Sequence, residues 1–359
     1  MVLTNEVLRE RLALIFEWYK GMVNRQTGRV VYLYDPVTET LVADGSPIRD
    51  IASIWDMEIL GDYLNRQELQ PAVERSLDHY IHYLTKRDGY TILDPRLLGE
   101  PSSIAHSAFM LLSLIHSRLS DRKEKAQPLA DGILVQQRTD GSYKIYFGSE
   151  RDDGLEFYPG EAMLALLETY RLTKEKRYLE SVEQGFLYYK TKYYERNRVQ
   201  PGLLPYFANW QSQFCRLLYE DTQKEELRGR VRDYVFQLHD KMIERGFYER
   251  IGRYPEKQIS VEVACALEGL NDAFAIALQE NHDHKGTYRD SVCTALAYLL
   301  KLQCVRHCAE KERGCFGFSF SDHTQRIDVT GHFVNGMIKS LRNEIRCGEV
   351  EEKGEKALR

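Results

Sequence analysis

The sequence lacks the features that mark several large classes of protein. No run approaches the length of about 18 apolar residues that a membrane-spanning helix needs. The net charge of −5 argues against a nucleic-acid-binding surface, which requires a basic patch. The segment Met1 to Glu10 is polar and has no apolar stretch typical of a signal peptide. These absences predict a cytoplasmic protein with neither a nucleic-acid partner nor a membrane span.

Cysteine occurs in no pattern that indicates a disulfide framework or a metal centre. The seven cysteines are odd in number and form no Cys-x-x-Cys motif, so reduced thiols are expected. Cys304, His307, Cys308 and Cys315 lie near one another in the chain, but their spacing matches no standard zinc pattern. We therefore predict no metal site, and nothing in the sequence indicates a cofactor.

Nothing in the composition divides the chain. No proline-, glycine- or serine-rich linker and no low-complexity tract interrupts the 359 residues, a length at which large closed folds still form one domain. Residues 1–347 are therefore expected to form a single domain. The charged segment 348–359 is expected to fray.

What the sequence does contain is a repeated unit, in which a polar loop leads through small residues into a bulky apolar helix. The fullest copy runs from Gln136 to Tyr170 and ends in YPGEAMLALLETY. Pro159 suits the first position of a helix, where its missing N–H costs nothing. The helix dipole favours Glu161 in the first turn. Because the helix is apolar almost all round, we expect it to be buried.

Six such helices recur, most of them at intervals of roughly 50–56 residues, which is a supersecondary period. Long loops precede them and short loops follow them, and loops this long in a compact domain are usually functional. Sequential hairpins with buried inner helices close most simply into a ring. We therefore predict an all-α (α/α)6 toroid with the long loops on one face and room for short hairpin strands within them. The predicted inner helices are residues 48–64, 102–119, 159–173, 207–220, 259–280 and 329–345.

The mouths of these helices would ring a central pit, and the residues there predict its chemistry. Acids and arginines hydrogen-bond sugar hydroxyls, arginine also holds carboxylates, and aromatic faces pack against sugar rings; tyrosine alone supplies 23 residues. Proton abstraction from a sugar carbon, or hydrolysis at an anomeric centre, needs an acid and a base. The candidates for these catalytic roles are Glu161, Glu262, His106 and His332. The candidates for substrate binding are Arg49, Asp50, Trp55, Arg151, Asp152, Asp153, Tyr158, Trp210 and Asp328.

Each catalytic candidate also has a purely structural interpretation. The helix dipole explains a first-turn acid such as Glu161 or Glu262. A histidine such as His106 or His332 is equally well a hydrogen-bonded core residue. Because a toroid joins its last hairpin to its first, the expected neighbours of His332 are Arg49, Asp50, Trp55 and Glu262.

The hairpin count and the motifs YPGEAMLALLETYRLT and SVEVACALEGLNDAF resemble six-hairpin carbohydrate-active proteins. These are the N-acylglucosamine 2-epimerase-like group, the helical domains of uronyl C5-epimerases, and polysaccharide-biosynthesis proteins of the same shape. The resemblance covers most of the chain and implies a toroid that acts on a sugar, an oligosaccharide or a uronic acid, as an epimerase, isomerase or hydrolase. The paired histidines of the 2-epimerase group find their nearest counterparts in His106 and His332, but the sequence around these two departs from that group's pattern, so the resemblance implies the fold and the substrate class and no specific reaction.

Two other functions stay open. The segment GCFGFSFSDHTQRIDVTGH is similar to the Gly-Phe turns of prenyltransferase and squalene-cyclase toroids, which implies an isoprenoid-handling enzyme. A toroid can also serve as a non-catalytic scaffold that binds a glycan or a protein, because a fold does not determine a function.

Overall fold

A computed structural model describes residues 3–42, 46–306 and 308–348, so all but the first residue of the segment predicted to fray lies outside the described residues. The structure is dominated by helices. In chain order they are α1 (Asn5–Met22), α2 (Pro47–Leu64), α3 (Gln70–Ile81), α4 (Pro95–Leu98), α5 (Ile104–His116), α6 (Arg122–Val135), α7 (Tyr158–Thr173), α8 (Lys176–Tyr188), α9 (Leu204–Asp221), α10 (Glu225–Glu244), α11 (Phe247–Arg253), α12 (Ser260–Gln279), α13 (Lys285–Leu302) and α14 (Ile327–Arg342).

Six of these helices form a closed inner ring. Helix α2 packs on α5, α5 on α7, α7 on α9, α9 on α12, α12 on α14, and α14 returns to α2. The outer helices α1, α3, α6, α8, α10 and α13 each precede an inner one. The (α/α)6 toroid is thus confirmed, and each predicted inner helix matches the observed one to within three residues at either end.

Burial separates the inner helices from the outer ones, as their sequences predict. Helix α5 is buried at every position from Ile104 to Ile115, because it touches neighbours on all sides. Outer helix α10 buries one face only, and its charged residues point outwards. A helix that is apolar all round has no stable place except inside such a ring.

Glycine allows the inner helices to approach closely. A Cβ atom at Gly160 would lie 2.6 Å from Cβ of Trp210, and one at Gly269 would lie 2.6 Å from Cα of Asn209. Both contacts are with groups that cannot swing away, so α7 and α12 meet α9 at distances that only glycine permits.

We expect Gly160→Ala to lower the free energy of unfolding by about 1–3 kcal/mol, since the added methyl overpacks the ring. The matched control is Gly229→Ala on outer helix α10, where nothing lies within 4 Å of the added Cβ. There alanine should stabilise by up to about 1 kcal/mol through helix propensity. Urea denaturation of both variants measures the two signs, and equal effects would contradict close packing at Gly160.

Short β-strands lie within the long loops. Strands β1 (Leu33–Asp35) and β2 (Thr40–Val42) lie in the first loop, β3 (Leu84–Arg87) and β4 (Tyr90–Leu93) in the second, and β5 (Gln325–Arg326) in the last. The antiparallel sheet has the order β2-β1-β5, and β3 pairs with β4 as a hairpin. Pairing of β1 with β5 joins the first and last loops at the point where the ring closes. Among the described residues, no helix is long and apolar enough to cross a membrane.

The cysteines correct one prediction. Cys293 is joined to Cys347, and Cys304 to Cys308, in disulfides. The expectation of reduced thiols is therefore wrong for these four residues. Sequence spacing could not reveal the first pair, because the ring folds the end of the chain back onto α13 across a separation of 54 residues. Cys315, part of the four-residue zinc candidate, is a buried free thiol, and His307 lies outside the described residues.

Candidate functional site

A pit of about 460 Å³ opens at the amino-terminal mouths of the inner helices, and all six helices contribute to it. Its walls are strongly aromatic. The aromatic lining consists of Trp55, Phe109, Phe157, Tyr158, Tyr206, Trp210 and Phe318. The Trp210 ring meets Phe109 edge-on at 5.7 Å and the His332 imidazole at 5.6 Å. Flat apolar faces of this kind pack against the C–H faces of a sugar ring.

Glu161 lines the pit from the first turn of α7 and is only 4% exposed. Its Oε2 atom has no hydrogen-bond partner among the described residues. Burial raises the pKa of this carboxyl to about 8, although the charges of His332 and Arg49 oppose the shift. An acid that holds its proton near neutral pH, lines a cavity and has an oxygen without a hydrogen-bond partner is suited to proton transfer.

Asp56 lines the pit from α2, two turns below the mouth. Asn335 donates a hydrogen bond of 2.9 Å to its Oδ1. Its Oδ2 lies against the backbone of α14, so closely that a Cβ at Gly331 would come within 1.9 Å of it. Burial raises the pKa of Asp56 to about 7, with His332 opposing the shift and Glu268 adding to it.

His332 and Glu268 form a buried pair at one side of the pit. His332 Nδ1 donates to Glu268 Oε2 at 2.9 Å, and Asn209 donates to the same oxygen at 3.1 Å. The Glu268 side chain has no solvent exposure. Burial alone would lower the pKa of His332, but its contacts with Cys265 and Glu268 reverse this and hold the pKa well above the ordinary value.

An arginine clamp marks the mouth of the pit. Asp328 Oδ2 accepts a bond of 3.0 Å from Arg49 Nε, and Asp328 Oδ1 accepts one of 3.1 Å from Arg326 Nε. Burial would raise the pKa of Asp328, but the two guanidinium groups outweigh it and the pKa is lowered. The clamp therefore carries one positive charge in excess of its carboxylate, beside the opening through which a substrate would enter.

The structure brings together many of the residues that the sequence singles out. Those that line the pit are Glu161, His332, Arg49, Trp55, Tyr158, Trp210 and Asp328. Their parts in catalysis and binding stay predictions. Of the expected neighbours of His332, Arg49 and Trp55 share the pit with it. Asp50 and Glu262 do not, and the acids near His332 are Asp56 and Glu268 instead.

Two predicted catalytic residues lie outside the pit lining. His106 Nδ1 bonds to Ser103 in a capping box at the start of α5, and its Nε2 bonds to Glu100 at 3.1 Å. Both ring nitrogens are therefore hydrogen-bonded near the start of the helix, which favours the structural interpretation. Gln258 donates a hydrogen bond to Glu262, which faces the loop before α12. Val261 lines the pit, and the next residue along a helix points about 100° away from it.

Four predicted binding residues also lie outside the pit lining, and their part in binding stays a prediction. Asp50 faces the outer helices, where Tyr80 donates to it at 2.9 Å and Arg29 forms an ion pair with it. Asp152 is exposed in the loop before α7. In that loop Arg151 pairs with Asp153 at 2.9 Å instead of reaching the pit. A loop residue near a helix mouth in sequence need not turn towards the axis, and these do not.

The sequence predictions did not include several polar residues of the site, among them Asp56, Glu268, Arg326 and Asn335. A signal was present for the acids. Both lie well inside helices whose residues are mostly buried, and a carboxyl is almost never fully buried without a partner or a function. The predicted catalytic acids lie in the first turns of their helices, whereas these two acids lie about two turns deeper.

Comparison with known proteins supports the fold and goes no further. No protein-family model matches the chain, and no curated protein does either. Among solved structures, a sugar epimerase from a ruminal bacterium matches with a TM-score of 0.67 at 10% identity, over 96% of this chain and 100% of that one. Cellobiose 2-epimerase from Spirochaeta thermophila matches with a TM-score of 0.64 at 14% identity, over 94% of this chain and 96% of that one.

A third match is the unsaturated glucuronyl hydrolase of Bacillus sp. GL1, which is described as responsible for the degradation of glycosaminoglycan. Its TM-score is 0.66 at 12% identity, over 94% of this chain and 97% of that one. All three matches run over nearly the whole of both chains. The chain thus has the (α/α)6 toroid fold that these epimerases and this hydrolase share.

Proposed function

We propose that this protein is a carbohydrate-active enzyme that moves a proton on a sugar or uronic acid, as an epimerase or isomerase. One observation carries the proposal: an aromatic pit holds an imidazole, His332, together with two carboxyls of raised pKa, Asp56 and Glu161. Groups that titrate near the working pH are efficient general acids and bases. The epimerases and the mannose isomerase among the structural neighbours share the toroid in which this pit lies.

The geometry suggests how the work is divided. The sugar ring packs on Trp55 and Trp210, with its polar edge towards the acids. His332, held from behind by Glu268, and the carboxyls of Asp56 and Glu161 would face the bound sugar from different helices of the ring. In the open-chain form of a sugar, or beside the carboxyl group of a uronic acid, a deprotonated member takes the proton from the carbon next to the carbonyl and a protonated member gives one to the carbonyl oxygen. Return of a proton to a carbon, with loss of the proton from the oxygen, gives the epimer or isomer. The arginine clamp holds hydroxyls or the carboxylate of a uronic acid.

Hydrolysis is the second candidate, because the pit also contains the pair of carboxyls that glycoside hydrolases use. Asp56 and Glu161 would then act as the two acids, and His332 would tune them. An isoprenoid substrate fits less well, since it calls for a mostly apolar pit and this one holds Arg49, Asp328 and His332. A cytoplasmic location stays a prediction.

Incubation of the purified protein with a panel of aldoses, ketoses, disaccharides and uronic acids in D₂O tests the proposal. Epimerisation or isomerisation should place deuterium on a sugar carbon, seen by NMR, whereas hydrolysis should release new reducing ends without it. The control is Glu262→Gln, which alters an acid outside the pit and should leave the rate unchanged. Turnover that survives both His332→Gln and Glu161→Gln would overturn the assignment of the site, and binding without any turnover would favour a non-catalytic toroid.

A further inference from the structure

A second cavity lies on the axis of the toroid, at the end opposite the pit. It has a volume of about 350 Å³ and is bounded by the carboxyl-terminal halves of the inner helices. Trp55 and Asn335 line both cavities. The pit and this rear cavity are therefore back to back, with a thin partition between them.

Lys339 links the rear cavity to the buried pair in the pit. Its Nζ donates to Asp272 Oδ2 at 2.7 Å and to Gln213 Oε1 at 3.0 Å. The same Nζ lies 3.8 Å from Oε1 of Glu268, an oxygen that accepts no hydrogen bond from the described residues. Lys339 thus supplies a positive charge to the far side of the carboxylate that holds His332.

The contacts of Lys339 close into a ring of four side chains. Gln213 Nε2 donates to Asn209 Oδ1 at 3.1 Å, and Asn209 Nδ2 donates to Glu268 Oε2 at 3.1 Å. An ammonium group can only donate. It therefore turns the Gln213 oxygen towards itself and the Gln213 amide towards Asn209, whose own amide must then point at Glu268.

This order of donors decides the state of His332. Glu268 accepts N–H groups from Asn209 and His332 and lies 3.8 Å from the Lys339 ammonium group. A carboxylate can only accept, which fixes the His332 proton on Nδ1 and turns the other nitrogen away from Glu268. None of these residues except His332 lines the pit.

We propose that Lys339 is a positioning residue for the reaction, acting from the rear cavity through Glu268 to set the orientation of His332 and the ease with which it gives up its proton. The proposal rests on the proposed function only for its effect on turnover. Its effect on His332 itself is independent of any substrate.

The sign of the effect follows from charge. The titratable and charged groups around His332 include Arg49 and Asp56 on α2, Glu161 on α7, Cys265, Glu268 and Asp272 on α12, Arg326 on β5, and Asp328 and Lys339 on α14. Loss of the Lys339 charge makes the region more negative, so the pair should bind its proton more tightly. Loss of the Asp272 charge frees Lys339 for Glu268 and should loosen that proton.

The test is an NMR titration of protein labelled with ¹⁵N in its histidines, with the His332 signal assigned by its absence in His332→Gln. The pKa of His332 should rise in Lys339→Met and fall in Asp272→Asn. Lys339→Arg should stay near the wild-type value. Arg342→Met, which removes a cation from the same cavity without a contact to Glu268, is the matched control and should not move it.

Opposite shifts are the expected result, since loss of packing alone would not give opposite signs in two variants of one ion pair. In the enzyme assay, Lys339→Met should lower kcat by about 10²-fold with little change in KM, the loss that a small misplacement of a catalytic group causes. Equal or absent shifts would overturn the proposal even if turnover exists. Opposite shifts in a protein without turnover would uphold this coupling and refute the proposed function instead.

Discussion

Replacement of Glu161 by glutamine should lower turnover by about 10²–10⁴-fold and leave the fold intact, since that is the contribution of a general acid or base. Glutamine keeps the size of the side chain but cannot exchange a proton. The carboxyl has no partner to lose on its Oε2, so the substitution breaks no known hydrogen bond there. Circular dichroism and the assay in D₂O together measure the result.

Stability provides a second check on the same variant. A buried carboxyl with a pKa raised to about 8 binds its proton more tightly in the folded protein than in the unfolded chain. Its contribution to stability is therefore complete below the unfolded pKa of about 4.5 and is lost as the pH rises to about 8. Glu161→Gln has no such loss. Its free energy of unfolding should therefore rise relative to that of the wild type by about 1.4 kcal/mol for each pH unit in this window.

Two outcomes would refute this account of Glu161. Unchanged turnover would remove the residue from the catalytic site and leave only its favourable place in the helix dipole, worth roughly 0.3–1 kcal/mol. A stability difference that does not vary with pH would show that the carboxyl is ionised when folded. Glu262→Gln serves as the control for turnover, because it removes a first-turn acid whose side chain bonds to Gln258 and does not line the pit.

The fold was predictable because its signals are local. The apolar sequence of a helix such as α5 indicates by itself that the helix is buried. The alternation of long and short loops indicates which helices pair into hairpins, without knowledge of their contacts. Closure then follows, since six buried helices in sequence have few other ways to hide their surfaces. The disulfide between Cys293 and Cys347 was not predictable, because it depends on where the last helix ends against its neighbour.

The site was predictable only in part, because it depends on how each helix is rotated about its own axis. In α12 the residues turned to the axis include Val261, Cys265 and Glu268, which follow one another at helical spacing. Glu262 is one position away and about 100° around. A helix with apolar residues on every side does not reveal from its sequence which side faces the axis of the ring. The sequence therefore cannot distinguish Glu262 from Glu268.

His332→Ala should abolish most of the activity and also destabilise the protein by up to about 3–5 kcal/mol, because it removes the hydrogen-bonded partner of the buried Glu268 carboxylate and Lys339, at 3.8 Å, does not replace that bond. The structure thus joins two interpretations of this histidine that the sequence opposes. It lines the pit, as a catalytic residue must, and it is also hydrogen-bonded inside the barrel, as a core residue is. A loss of stability therefore does not count against catalysis at this position.

His332→Gln separates the two effects, since an amide can still donate to Glu268 but cannot transfer a proton. We expect it to retain most of the stability and to lose turnover by about 10²–10⁴-fold. The pKa of His332 is raised in the folded state, so its stabilising contribution is complete below about pH 6.5 and is lost as the pH rises through the raised pKa. The stability advantage of the wild type over His332→Gln should therefore shrink at alkaline pH.

A double variant completes the test. His332→Ala combined with Glu268→Gln removes the buried Glu268 charge together with its histidine partner. The double variant should therefore recover much of the stability that His332→Ala loses. It should recover no activity, because the proton-transferring group is still absent. Recovery of turnover in the double variant would show that His332 serves only to balance the charge of Glu268, and the chemistry would then belong to Asp56 and Glu161.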